Sequence, residues 1–100
     1  MKIGYKLFSL KKNGEIGPLF INKRLRIPIG KWMVAELHPT RGFAVRKGWH
    51  ICSEPRAPHL TNKGRVWYKV EMQKVTSYLR PASQGGLWYL AGRMRVIEKV

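Results

Sequence analysis

The chain has 100 residues, 44% of them hydrophobic, with four Trp, four Tyr and three Phe, which is enough apolar bulk for one domain over residues 1–100 and too much for a disordered tail. Twenty Lys and Arg stand against five acids, all Glu, for a formal charge of +15; self-repulsion on that scale opposes compaction, so the excess is read as serving a polyanion. No run reaches the ~18 apolar residues of a membrane span, no basic amphipathic helix is evident, the N-terminal Met-Lys-Ile-Gly-Tyr-Lys lacks the apolar core of a signal peptide, and the lone Cys52 agrees with a reducing cytosol.

Lys2 to Leu10 alternates, with Ile3, Tyr5 and Leu7 on one side and Gly4, Lys6 and Phe8 on the other, which predicts a strand with one well-defined apolar face. Asn13-Gly14 predicts a type I′ hairpin turn with positive φ at both residues. The return strand runs from about Glu15 to Ile21, and Pro18 places it at an edge or bulge. Lys23 to Ile29 alternates charge with apolar side chains, as a short strand with one wet face does. Lys31 to Leu37 fits either a strand or one or two helical turns, and 38–42 reads as a loop. Phe43, Val45, Trp49 and Ile51, around Lys47-Gly48, suggest a second short hairpin or a bulged strand.

Residues 53–63 show no period and are expected to form the longest irregular surface loop, a type of segment that often carries binding groups. Arg65 to Glu71 then alternates as a strand: Val66, Tyr68 and Val70 face one way, and Arg65, Trp67, Lys69 and Glu71 the other. A further strand is expected over Val75–Leu79, a polar turn over Pro81–Gly86 and a closing strand over Leu87–Val100, with Trp88–Arg93 alternatively forming one helical turn. No repeat, heptad or low-complexity tract is present. The expected fold is mainly β, or β-rich α+β at most: a single small domain with a curved antiparallel sheet or partial barrel and a long irregular loop around 53–63.

Cations interleaved with aromatics carry the chemistry. Arg65, Trp67 and Lys69 share a strand face and offer two phosphate contacts beside a stacking surface, the combination that holds single-stranded nucleic acid at ~1–3 kcal/mol per stacked base. The competing reading packs Trp67 under a neighbouring loop. Arg24 with Arg26, and Arg93 with Arg95, have the i, i+2 spacing that points both side chains the same way, so each pair can grip a phosphate bidentately or simply line a solvated face. Arg46 and Lys47 precede Gly48, where exposed backbone N–H groups can join cations around a phosphate. Trp49, His50 and His59 are candidates to line a ligand pocket.

His50 and Cys52 at i, i+2, completed by His38 or His59, would offer zinc ligands. No CxxC or HxxxH spacing accompanies them, so no metal is expected and Cys52 reads as a buried small hydrophobe. With no Asp, scattered Glu and no Walker loop, GxGxxG or HxE signature, neither a cofactor nor a catalytic residue is assigned. In an enzyme reading, His50 or His59 would be the general base.

Tyr5-Lys6-Leu7-Phe8, Gly17-Pro18-Leu19-Phe20-Ile21-Asn22, Gly42-Phe43-Ala44-Val45-Arg46 with Gly48-Trp49-His50, Ala57-Pro58-His59-Leu60, Gly64-Arg65-Val66-Trp67 and Arg80-Pro81-Ala82-Ser83-Gln84-Gly85-Gly86 span nearly the whole chain. Together they resemble a family of small proteins encoded by bacteriophages and prophages, which lends a context but no activity. The resemblance implies a viral protein acting in the bacterial host cytoplasm. Its expected partner is nucleic acid or a nucleotide, or an acidic or nucleic-acid-containing host complex, and not a membrane. A host-defence inhibitor of the anti-CRISPR kind fits that context, as does a protein sequestering a small cyclic nucleotide signal. A narrower likeness at Gly48-Trp49-His50 is similar to ADP-ribosyl transferase-like folds and implies a nucleotide-using transferase, with its catalytic acid unassigned.

Overall fold

The computed structural model of the chain describes residues 2–19, 25–35, 48–56, 60 and 63–100. Within them the backbone is largely extended, as the density of β-branched and aromatic residues demands. Six strands run in chain order: β1 (Lys2–Leu10), β2 (Ile16–Gly17), β3 (Trp32–Val34), β4 (Trp49–Cys52), β5 (Arg65–Leu79) and β6 (Leu87–Lys99), with one 3-10 turn at Ala82–Gln84.

The long β5–β6 hairpin is the frame, in register from Tyr68↔Lys99 to Leu79↔Leu87. Against the other edge of β5 lies β1, paired from Lys2↔Met72 to Ser9↔Arg65. Against the other edge of β6 lie β4, from Trp49↔Ala91 to Cys52↔Trp88, and then β3, from Trp32↔Arg95 to Val34↔Arg93. The sheet curls until β4 meets β1, but at a single pair, Tyr5↔Cys52. The result is a strongly curved antiparallel sheet, a barrel left unclosed along the β1/β4 seam.

Curvature comes from local devices on β5. The ladder to β6 shifts register between Lys69 and Val70, and Lys74 adopts a left-handed φ of 55°. Gly92 accommodates that kink, because a Cβ there would stand 3.1 Å from Lys74 Cβ. Bulges bend a strand and increase its twist without ending it. The two strands expected at 65–71 and 75–79 are therefore one bent strand of 15 residues.

The main core lies inside the curl: Phe8, Ile16, Ile27, Ile51, Val70, Met72, Ala91, Met94 and Val96, with Val66, Tyr68, Trp49 and Tyr89 packed against it. Each fully buried large apolar side chain contributes about 1.5–3 kcal/mol relative to exposure. Here β1 differs from its sequence reading. Gly4, Lys6 and Phe8 stand opposite Val70, Tyr68 and Val66, so the side carrying a lysine and a glycine, and not the Ile3/Tyr5/Leu7 side, faces the main core. Leu7 is buried too, opposite Trp67, because both faces of the sheet are covered at that point.

Other expectations shift in detail. Gly14 has φ 84° but Asn13 does not have a positive φ, so the turn is not type I′. Gly14 N–H bonds to Lys11 O at 3.0 Å and Lys11 N–H to Glu15 O at 2.8 Å; a three-residue loop with glycine in the left-handed position closes the hairpin. The described return strand is only Ile16–Gly17, ending at Pro18, which has no N–H to give a ladder. The strand expected at 23–29 is reduced, over its described part, to single bridges, Ile16↔Ile27 and a parallel Ile29↔Val96. The helical alternatives fail at Trp32–Val34 and at Trp88–Arg93. The first pairs with β6, and most of the second pairs with β5 on one edge and β4 on the other, which satisfies in sheet form the backbone groups a helix would use.

Candidate anion-binding face

Outside the main core a second apolar cluster forms from buried Cys52 and Trp88, with Leu60, Trp67 and Tyr78 packed on them. Register explains it. Cys52 pairs with Trp88, and Trp88 with Tyr78, and directly paired residues share a face of the sheet. Trp88 is held from its polar end, its Nε1–H donating to Gln84 O at 2.6 Å. Gly85, at φ 96°, closes over it; a Cβ there would lie 3.1 Å from that nitrogen and 3.2 Å from Arg56 O.

Cations and polar groups rim this cluster. The Arg80 guanidinium lies 4.2 Å from the Trp88 ring and 5.4 Å from the Tyr78 ring, and its Nη2 donates to Tyr78 OH at 3.2 Å. Tyr78 OH in turn meets His50 Nδ1 at 2.8 Å. The hydroxyl oxygen has two lone pairs and one proton, so it can accept from Arg80 and still either donate to or accept from the imidazole.

Lys6 reaches the same place through the seam. Beyond Tyr5↔Cys52 the β1/β4 ladder stops, and Lys6 Nζ donates to the His50 carbonyl instead, at 2.7 Å. Burial pushes the Lys6 ammonium down to about 8, with Cys52 offsetting part of the effect and the Arg80 charge adding to it. Burial likewise pushes the Cys52 thiol up to about 12, against the pull of Lys6 and Arg80. Lys6 and Arg80 thus sense each other's charge, and neither has a carboxylate in ion-pair range among the described residues. Like charges within range of each other cost free energy, which a bound anion would relieve.

The residues singled out in the sequence are distributed differently. Trp67 is half-buried in the second cluster. Lys69 pairs with Glu98 at 3.6 Å, and Arg95 pairs with buried Glu71. Arg93 and Arg95 both lie over the Trp32 ring, at 5.4 and 5.2 Å, a second grouping of guanidinium on indole across the β3–β6 pair. Arg26 is exposed and Arg65 half-buried at the start of β5. Trp49 packs on the main core, and its Nε1–H donates to Met33 O at 3.1 Å; it ties β4 to β3. Arg24, Arg46, Lys47 and His59 lie outside the described residues, as does His38.

Lys6, Tyr78, Arg80 and Trp88 were not singled out in the sequence as site residues. A signal existed for one pair: Tyr78 and Arg80 have the i, i+2 spacing of one strand face. The grouping of Arg80 with Tyr78 and Trp88, and the bond from Lys6 to the His50 carbonyl, depend on strand pairing and the curl of the sheet, which no local pattern encodes.

Among the described residues no group of three His, Cys, Asp or Glu is placed to hold a metal ion, and no helix is long and apolar enough to cross a membrane. No protein-family model matches the chain, and no curated protein or solved structure is detectably similar to it.

Proposed function

We propose that this protein is a non-catalytic binder of nucleic acid, free or within a host nucleic-acid complex, that acts in the cytoplasm of an infected bacterium. The observation carrying this reading is Arg80, whose guanidinium is seated over Trp88 and Tyr78 with no carboxylate partner among the described residues, in a chain of net charge +15. A guanidinium seated over aromatic rings has surrendered much of its rotamer freedom already, while its N–H edge stays available to a phosphate in bidentate geometry. Arg93 over Trp32 supplies a second such group. The phage-family resemblance supports the cellular setting and the role of host-defence inhibitor.

Fluorescence anisotropy with a labelled single-stranded oligonucleotide tests the reading. A protein neutralising about six phosphates loses roughly a thousandfold in affinity between 50 and 200 mM salt. Arg80→Gln is expected to weaken binding about five- to tenfold and to lower the salt slope by about one. No binding at the low-salt end rejects the proposal.

A further inference from the structure

Among the described residues the second half of β5 has a neighbouring strand on one side only. β1 pairs with β5 from Ser9↔Arg65 as far as Lys2↔Met72, whereas β6 pairs with it on to Leu79↔Leu87. From Val75 to Leu79 the edge of β5 that faces away from β6 is therefore open. In an antiparallel ladder, alternate residues direct both backbone groups to the same side. Arg80 N–H bonds to Gly86 O at 2.7 Å across the hairpin, while Leu87 O turns away from β5 to accept from Ser53 N–H at 3.4 Å. Arg80, Tyr78 and Thr76 thus address β6. Leu79, Ser77 and Val75 direct their N–H and C=O groups to the open edge, where no hydrogen bond reaches them among the described residues.

We propose that a second copy of this chain pairs with this edge, antiparallel and related to the first by a two-fold axis through Ser77. Such an interface is isologous: Ser77 stands opposite Ser77 of the second copy, and Val75 opposite its Leu79, twice over. All three edge-facing residues of each copy then exchange N–H···O bonds with the other, which extends one sheet across both copies. Leu79, 82% exposed in the single chain, gains Val75 of the second copy as a cross-strand neighbour on its own face. The neighbouring registers fit less well. One sets Val75 against Pro81, which has no N–H to give; the other sets Leu79 against Gln73, across the left-handed kink at Lys74.

The composition of the edge favours a second copy as its occupant. The register that satisfies the backbone is also the one that sets apolar Val75 against apolar Leu79, so the segment matches itself. It is uncharged between Lys74 and Arg80 in a chain with 20 Lys and Arg, so two strongly positive copies approach along it without a charge opposing a charge in the paired residues. At each end Lys74 of one copy comes beside Arg80 of the other. A pairing this short, with like charges at its ends, makes a weak dimer, with a Kd on the order of 10–100 μM. Salt screens those ends and the net charge, so the dimer should tighten at least about threefold between about 100 and 500 mM salt, whereas binding to a polyanion weakens with salt.

Sedimentation velocity tests the pairing on protein freed of nucleic acid, over a concentration series of about 5 to 500 μM that brackets the expected Kd. Leu79→Lys adds a charge at an exposed position and Ser77→Pro removes the N–H on the axis; each should weaken the dimer at least about tenfold, with far-UV circular dichroism confirming that the variant folds. Oxidative crosslinking reads the register. Across the axis the two Ser77 Cα atoms are about 5.5 Å apart, within the reach of a disulfide. Ser77→Cys should therefore crosslink to itself at least about tenfold faster than Thr76→Cys, which meets Tyr78 of the second copy, while native Cys52 is buried. A protein that stays monomeric at the top of the series in both salts overturns the proposal. So does a dimer that survives both Leu79→Lys and Ser77→Pro, or a Ser77→Cys that crosslinks no faster than Thr76→Cys. The outcome is independent of the nucleic-acid reading, which stands or falls on its own titration.

Discussion

Replacing Gly4 by alanine places one methyl group at the tightest crossing of the sheet. The added Cβ would stand 2.5 Å from Ile51 Cγ2, 2.9 Å from Met72 Cε and 3.0 Å from the Cys52 carbonyl oxygen. Carbon atoms pack comfortably at about 3.5–4.0 Å, so roughly 1 Å of retreat is needed from Ile51. The Met72 terminus can swing aside. Ile51 is fully buried and its branch methyl is fixed by χ1, while the Cys52 oxygen belongs to the backbone. Relief therefore requires β4 to move away from β1 at the one pair that joins them. Overpacking by a methylene in a filled core costs about 1–3 kcal/mol, and a site with two rigid neighbours belongs at the upper end, about 3 kcal/mol. For a domain of this size that lowers the melting temperature by about 10–20 °C. Urea and thermal unfolding followed by circular dichroism measure it. The clash also predicts coupling: in an Ile51→Ala background, which removes the offending methyl, Gly4→Ala should cost at least about 1 kcal/mol less than in the parent. A Gly4→Ala protein within about 0.5 kcal/mol of the parent, or a strictly additive cycle, would refute the account of the seam.

Three further outcomes are expected. Because burial holds the folded-state Lys6 pKa near 8, below the 10.5 of an ordinary lysine, the unfolded chain binds more protons between those values, so stability should rise with pH across that window. In Lys6→Met that rise should shrink and stability at pH 7 increase, by about 1–3 kcal/mol in urea titrations; an unchanged pH profile contradicts the burial of Lys6. Arg95→Met strands the buried Glu71 carboxylate and should cost about 2–4 kcal/mol, of which Glu71→Gln in the same chain restores at least about 1. Single variants whose costs simply add would show that the pair is not coupled. Cys52, buried and with its thiol pushed up to about 12, should react with a disulfide reagent at pH 8 at least about 100-fold more slowly in the folded protein than in urea, and comparable rates would place the thiol at the surface.

Periodicity made the strands legible. Lys2–Leu10 and Arg65–Glu71 alternate over enough residues that an extended, paired backbone is the economical solution, and Asn13-Gly14 marks a turn wherever the flanking runs are β-type. The turn type was not legible, because it depends on how the flanking strands register and not on the dipeptide alone. Nor was the orientation of β1. Its Ile3/Tyr5/Leu7 face is the more apolar, yet the Gly4 side turns inward, since only a residue without a Cβ allows β1 and β4 to approach so closely. Trp67 was legible as an aromatic among cations. Its place in a packed cluster with Trp88 and Tyr78 depends on residues distant in the chain.

The charge of +15 belongs to the sequence alone, because composition sets it whatever the fold, and the expectation of an anionic partner rests on it. The mainly β class also follows from local pattern, as period-2 alternation is a property of neighbouring residues. Which cations act together is a tertiary matter. Arg93 and Arg95, close in sequence, are drawn to Trp32, and Arg95 also to Glu71. Lys6 and Arg80 are 74 positions apart and sense each other's charge because a bulge between Lys69 and Val70 and a kink at Lys74 bend β5 and the sheet curls until β1 and β4 touch. Curvature is a property of the whole ladder, and only the folded chain could bring those two charges within electrostatic range of each other.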